Sequence, residues 1–512
     1  LDRDKARIAI VQPAQADGAY LSPPFSYSEA ALEGMIDFLA GHATTENDAG
    51  NVQMQQRKDE IEAVNLQIVC QDIEEKIIDE DKAAGFTVAP EFYGGQQGLN
   101  LSIRNFYHNQ LLLFPKAYVE RMPPRRTGRV AELVGPALLL ASDAGYDAAR
   151  RIWNGAFDRK PALIASCAGA ADVMRTVEFA RAHDLLVAVR GGGHSISGQS
   201  VCEGGLMISL EGMRGIRIDP EARVARVEPG VLLGELDREA QSFGLVTPAG
   251  TVSHTGVAGL TLGGGFGRLA RKFGLACDNL LAADLVAADG RLVQASASEN
   301  PDLFWALRGG GGNFGVVTSF EFRLHPSPPV LLGGPAIFPL AQARDALRAY
   351  ADFAGNAPDD VYADAALTRL PDGQPVLVID TCYAGSIEAG EKALASIRKF
   401  GKPIVDAIAP TPYVKLQQSA DVQLARGRRY YLKAGFLRTI DPSLVDALVE
   451  EFAGLPPAVM VIFADAGGAI SRVAPTATAF WHRPARWNVV VATAWDNRSE
   501  ERRVGKECLR LC

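Results

Sequence analysis

The sequence is poor in the features that usually fix a protein's class at once. Its seven cysteines are scattered through 512 residues with no C-x-x-C spacing, which argues against a zinc site and against a disulfide framework. No run approaches the ~18 consecutive apolar residues that signal a membrane span. The opening residues, Leu1-Asp2-Arg3-Asp4-Lys5-Ala6-Arg7, lack the n-region and h-region of a secretory signal. Basic residues are not in excess either, since 52 Lys and Arg face 60 Asp and Glu for a net charge of −8, which argues against a nucleic-acid partner. G-x-S-x-G, H-E-x-x-H and EF-hand patterns are all absent, which removes the main hydrolase and metalloenzyme readings. The expectation is a cytoplasmic protein with no membrane partner and no metal. The 47% of hydrophobic and 22% of charged residues are ordinary for a soluble globular chain, and this length suggests two to four domains.

What the sequence does have is glycine in clusters. Residues 190–199 read Arg-Gly-Gly-Gly-His-Ser-Ile-Ser-Gly-Gln and follow a short apolar run, 185–189, that fits a buried strand. Three glycines in a row leave the backbone free to approach a ligand closely, and such a loop can aim successive N–H groups at one anion. A Gly-rich turn with an incidental histidine fits this stretch equally well when it is read alone.

Further motifs follow in order: Thr247-Pro248-Ala249-Gly250, the run 256–267 (Gly-Val-Ala-Gly-Leu-Thr-Leu-Gly-Gly-Gly-Phe-Gly), Gly274-Leu275-Ala276-Cys277-Asp278-Asn279-Leu280, Asp302-Leu303-Phe304-Trp305-Ala306-Leu307-Arg308 with glycines 309–312, and Asn313-Phe314-Gly315-Val316-Val317-Thr318. Together they resemble the berberine-bridge-enzyme-like FAD-linked oxidases of the vanillyl-alcohol-oxidase flavoprotein superfamily, over residues 130–496. The resemblance implies an α+β chain, with a two-part PCMH-type FAD-binding domain over 129–328 and an antiparallel substrate sheet carrying helices on one face over 329–497. It places cofactor contacts on Arg190, Gly191, Gly192, Gly193, His194, Ser195, Gly198 and Gln199; on Pro248, Gly250, Gly256 and Gly259; on Gly263, Gly264, Gly265 and Gly267; and on Asp278, Asn279, Gly315 and Val317. His194 matches the family histidine that bonds a flavin methyl group covalently. Bicovalent relatives carry a cysteine where this chain has Val252, so a single covalent link to FAD is expected.

Taken in order, residues 1–128 stand apart. Helical apolar spacing recurs over 27–39 (Ala31, Met35, Phe38, Leu39) and 61–78, separated by a polar stretch that reads as loop. Residues 65–71 and 94–98 resemble the helical part of STAND-type signalling NTPases, although no Walker A sequence is present. A helical accessory domain and a fusion of unrelated reading frames are both open. Pro123, Pro124 and Gly128 mark the boundary. A helix-like run then ends near Trp153-Asn154-Gly155. A strand at 161–164 leads to a helix that Asp172 can cap, with Val173, Val177 and Ala180 on one face. Because the glycine loop comes after the second strand, a Rossmann fingerprint does not fit. Further strands are expected at 205–210 and 223–228. A helix should follow with Leu232, Leu236, Ala240 and Phe243 on one side, closed by Gly244. Asp289-Gly290 signals a hairpin, and 316–324 alternates as a strand. Beyond 330, strands are expected at 376–382, 430–437, 459–464 and 489–494, with helices at 389–400 and 444–452.

For catalysis, Tyr430 and Lys433 are the candidates. They stand on one strand, Tyr430 and Leu432 facing one way and Tyr431 and Lys433 the other, and an alcohol or amine must lose a proton as it loses hydride. Cys277 is expected to pack, Asp278 and Asn279 to serve either the cofactor or a turn, and His254 to lie at a polar surface position. His482 and Arg483 are weighed as a further polar pair near the substrate. Residues 498–508 resemble translated sequencing-adapter DNA, which implies that the family's last segment is missing. Two functional readings stand: an FAD-dependent oxidase acting on a small-molecule alcohol, sugar, amine or alkaloid-like substrate with oxygen, or a non-catalytic protein, either a truncated flavin-domain relative or a STAND-like regulator.

Overall fold

A computed structural model describes residues 26–39, 87–89, 138–456 and 458–496. The expected helix at 61–78, the segments likened to signalling NTPases and the adapter-like tail lie outside the described residues. The chain divides into two compact units, Leu1–Pro115 and Lys116–Cys512. In the first, the expected helix runs over Glu29–Leu39 with Ala31 and Met35 fully buried. It starts after Tyr27 because Ser26–Tyr27 pairs as a short strand with Thr87–Val88, and the Ser28 hydroxyl accepts from the Ala31 N–H, as an N-cap does.

In the second unit a short strand (Leu138–Leu139) and a four-residue helix (Tyr146–Ala149) come first. β1 (Leu163–Ser166), with which that strand pairs antiparallel, α1 (Ala170–Ala182) and β2 (Val187–Arg190) are followed by the glycine loop and β3 (Leu206–Ser209). β3 lies between β1 and β2, parallel to both, so the strand–helix–strand–loop order holds. Asp172 does not cap α1. Gly169 occupies that position, and the Asp172 carboxylate accepts instead from the Ala168 N–H at 2.9 Å. A second, antiparallel sheet has the strand order β7 (Leu292–Ser296), β6 (Leu280–Val286), β8 (Val316–Arg323), β5 (Val224–Val227), β4 (Ile216–Asp219). The Asp289-Gly290 turn joins β6 to β7 as expected, with Gly290 at φ +87°. Across this sheet packs α2 (Leu233–Gln241), whose buried face is Leu233, Leu236, Asp237 and Ala240. Leu232 precedes the helix and Phe243 is 51% exposed, because the helix ends two residues before Phe243.

The third sheet is wholly antiparallel: β9 (Val330–Pro339), β11 (Pro375–Tyr383), β10 (Val361–Arg369), β13 (Val459–Asp465), β14 (Trp487–Trp495), β12 (Arg429–Leu437). Its helices are α3 (Leu340–Asn356), α4 (Ile387–Leu394) and α5 (Pro442–Phe452). The expected 389–400 helix thus stops at Leu394 and gives way to a 3₁₀ turn over Ile397–Lys399. Side chains alternate between the two faces of a strand, and the core cluster (Ala363, Ala365, Leu367, Leu377, Ile379, Val461, Phe463, Trp487, Val491) takes one parity of each strand and packs on α3 and α5. The other parity, Asp364, Ala366, Asp380, Ile462, Ala464, Asn488, Val490, Leu432 and Phe436, makes a face that α3, α4 and α5 leave free; the short helix Tyr413–Gln417 packs over its Leu331, Tyr362 and Cys382 end.

Asp237 is 1% exposed, with the Gln417 amide at 3.2 Å as its side-chain partner. Burial raises its carboxyl to about 7. The folded chain therefore keeps a proton that the unfolded chain releases near ~4, so the stabilisation is full below that pH and is lost as pH rises through about 7. Asp237→Asn is expected to raise Tm at pH 8 and leave it nearly unchanged at pH 4; equal shifts at both would contradict this.

Candidate active site

β2 ends at Arg190, a buried side chain that donates to the Ala149 carbonyl and pairs with Glu211 at 3.2 Å. In the loop that follows, Gly193 takes φ +70°, a region costly for any residue with a β-carbon. A β-carbon on Gly192 would stand 2.4 Å from the Gly256 Cα. The first glycine loop and the Gly256-Val257-Ala258-Gly259 turn therefore meet backbone to backbone. The second cluster is tied in the same way, because a β-carbon on Gly267 would fall 1.7 Å from the Ala249 carbonyl oxygen. Pro248 and Gly250 flank that contact and are buried. Gly259 has open space around its Cα, and Gly263 has nearly as much.

His194 stands where these loops converge. Its ring stacks on Trp153 (centroids 4.2 Å apart, 19° between planes), and Trp153 stacks on Tyr430 (3.8 Å, 13°). The His254 ring lies 5.2 Å from His194, so His254 faces the loop interior instead of the polar surface. His194 Nε2, both ring nitrogens of His254, Ser200 Oγ and Thr247 Oγ1 are buried without a hydrogen-bond partner. Each such atom costs about 1–3 kcal/mol, and their concentration on two touching loops fits a cradle for a polar cofactor. Burial first, then the neighbouring His254 and Arg426, push the His194 pKa down to about 3. The imidazole is therefore neutral at ordinary pH, with a lone pair available on nitrogen.

Two residues outside the motifs lock this geometry. Asn154 donates through Nδ2 to the Ile196 and Tyr430 carbonyls (2.8 and 2.9 Å), and its Oδ1 accepts from the Tyr430 N–H. Arg426 donates to the Gly192 carbonyl at 2.7 Å and the His254 carbonyl at 3.3 Å. Arg426 carries no motif and went unmarked in the sequence, and Trp153 and Asn154 were marked only as a helix end. Ser195 Oγ accepts from the Gln199 N–H at 3.0 Å, and Gly198 packs against the Phe157 ring.

Other expected contact residues also make structural bonds of their own. Asp278 pairs with the fully buried Arg483 at 2.6 Å and accepts from the Leu275 N–H, while Asn279 bonds the Phe273 and Leu275 carbonyls and His325. Both side chains are spent on the turn, and Arg483 is spent on Asp278. Gly315 lies against the Val286 carbonyl, and Val317 sits in the hydrophobic core opposite Leu285. Cys277 is fully buried, and burial pushes its thiol to about 12, as a packing residue.

The catalytic candidates also have structural surroundings of their own. The Tyr430 hydroxyl donates to the Ala425 carbonyl at 2.6 Å beneath Trp153, so it is committed to fixing the stack. Lys433 is exposed and has the parity of Tyr431, the face that carries the helices. On the opposite face Asp364 accepts from the Tyr362 hydroxyl at 2.7 Å, and Asp380, its register partner, pairs with Arg268 at 2.6 Å. Asn488 Oδ1 is buried there without a partner.

A family model described as FAD binding domain matches residues 161–296. An FAD-linked oxidoreductase of Dictyostelium discoideum is 33% identical over 344 residues, 67% of this chain and 75% of that protein. The (R)-6-hydroxynicotine oxidase of Paenarthrobacter nicotinovorans is 36% identical over 281 residues, 54% of this chain and 61% of that protein. The crystal structure of 6-hydroxy-D-nicotine oxidase from Arthrobacter nicotinovorans superposes with a TM-score of 0.64 at 29% identity, covering 73% of this chain and 85% of the other.

If Asp278 and Arg483 serve the turn, Arg483→Met should destabilise the protein by about 3–5 kcal/mol, because it strands a buried carboxylate. Adding Asp278→Leu should restore most of that loss in urea denaturation. A double variant no more stable than the single one would contradict the assignment.

Proposed function

The chain belongs to the berberine-bridge-enzyme-like FAD-linked oxidoreductases, and on that footing we propose that it removes hydride from a small-molecule alcohol, sugar, amine or alkaloid-like substrate, using FAD joined covalently to His194, with oxygen as the electron acceptor. When bound, FAD supplies the two-electron chemistry, accepting hydride and passing the electrons on. The observation that carries this reading is the state of His194: neutral, held flat against Trp153 and with Nε2 unpartnered. A nucleophilic nitrogen must be unprotonated and correctly aimed, and burial provides the first condition while the Trp153 stack provides the second.

The remaining assignments follow from the loops. The backbone of Gly191, Gly192 and Gly193 and the turn at Pro248, Gly250, Gly256 and Gly259 would hold the cofactor on the His194 side. Gly263, Gly264 and Gly265 would approach it from the second cluster. Val252, 8% exposed, leaves no thiol for a second attachment, which supports one covalent link. Proton removal would fall to the face of the third sheet that α3, α4 and α5 leave free, because the Tyr430 hydroxyl donates to the Ala425 carbonyl and Lys433 is exposed on the opposite face.

His194→Ala should still bind FAD through the loops, but acid should extract all of it. An acid-stable flavin adduct in that variant would sink the assignment, whatever its activity.

A further inference from the structure

The row of residues across the third sheet at Ala464 defines a niche. In register, Asp364 pairs with Ala464, Ala464 with Asn488, and Asn488 with Phe436. All four side chains share the face that α3, α4 and α5 leave free, and strands lie about 4.8 Å apart. The methyl group of Ala464 thus leaves a gap between a carboxylate and an amide rooted about 10 Å from each other. Ala366, Ile462, Val490, Ala492 and Leu432 occupy the neighbouring positions of that face and are half-buried or, for Leu432, edge-lying. Phe436 closes the row by stacking on His482 at 4.2 Å and packing on Phe266 of the second glycine cluster. In this row the polar groups are Asp364, which accepts from the Tyr362 hydroxyl, and the unpartnered Asn488 Oδ1.

Resting on the function proposed above, we infer that this niche takes a compact, largely apolar amine or alcohol, and that Asp364 accepts the proton of its N–H or O–H group. A disaccharide would bury many hydroxyls, each needing a partner, whereas next to Ala464 only Asp364 and Asn488 are polar, because Asp380 and Arg268 are already paired with each other. An amine or alcohol has a single polar hydrogen for Asp364 and an apolar body for Ile462 and Val490. In the step, the substrate N–H or O–H bond breaks and its proton passes to a carboxylate oxygen of Asp364. The adjacent C–H electron pair leaves as hydride to FAD, which is reduced as the carbon is oxidised to an imine or carbonyl. Four charged or titratable groups act on Asp364: Tyr362 on its own strand, Asp380 on β11, Arg268 of the loop after the second glycine cluster, and, from the other parity, Asp465 at the end of β13. Burial outweighs the Tyr362 hydrogen bond and the Arg268 charge, and the carboxyl is pushed up to about 7, within reach of an ordinary working pH.

The test is anaerobic flavin reduction in the full chain carrying its flavin, with N-methylbenzylamine, 1-phenylethanol and xylobiose as probes. At least one of the first two should bleach the yellow absorbance at least tenfold faster than xylobiose. That rate should rise with pH through about 7. Asp364→Asn should stay yellow, lose at least tenfold in rate and lose the rise; Asp364→Glu should recover part of the rate. In calorimetry, Ala464→Trp should weaken binding of the active probe at least tenfold. Xylobiose reacting as fast, a yellow protein that neither apolar probe reduces, or an Asp364→Asn variant that keeps its rate or its pH profile would each overturn the inference. A full chain that takes up no flavin would instead defeat the functional reading on which the inference rests.

Discussion

The site depends on a contact between two pieces of backbone. Gly192 and Gly256 approach so closely that a methyl group on either would collide with the other. That contact brings a loop from the parallel sheet against a turn 64 residues later and traps His194 where they meet. Burial there strips the imidazole of its proton and leaves Nε2 without a partner. A close-packed interior keeps such an arrangement only if something fixes it. Trp153 and Tyr430 supply that as a stack, with Asn154 bonded to both the loop and the strand that carries Tyr430.

The cofactor-side part and the third sheet are joined by two apolar clusters and by a set of buried polar pairs. Arg268 meets Asp380, Arg483 meets Asp278, Gln417 reaches Asp237 and the Gly250 carbonyl, and Asp465 sits between Arg271 and Arg486. Such pairs add little net stability against apolar replacements, but removing one partner is costly. Their effect is to set the relative placement of the parts, which an alternating strand cannot do alone. With α3, α4 and α5 on one face, the part of the other face around Ala464 is left for chemistry.

Much of this was legible in the sequence. The strand–helix–strand–glycine order, the Asp289-Gly290 hairpin and the antiparallel third sheet with helices on one face all follow from periodicity and turn residues. The elements missed are instructive. α3 carries Ala343, Ala346, Leu347, Tyr350 and Ala354 at helical spacing, but alanine is a weak apolar marker. β10 is interrupted by Asp364, so its alternation reads as broken. That interruption is the charged group on the face that α3, α4 and α5 leave free, where local pattern gives way to chemistry. Roles that depend on distant partners were not legible. Nothing near Tyr430 in sequence announces Trp153, and nothing near Asp278 announces Arg483, 205 residues away.

The central claim is that a neutral, buried His194 carries the flavin. The most direct measurement is the intact mass of acid-precipitated full chain, followed by peptide mapping. The account predicts a protein heavier by one FAD, still yellow after precipitation, with the adduct on the peptide containing His194. A protein that binds FAD yet returns to its bare mass in acid, or one whose adduct maps to another residue, would contradict it.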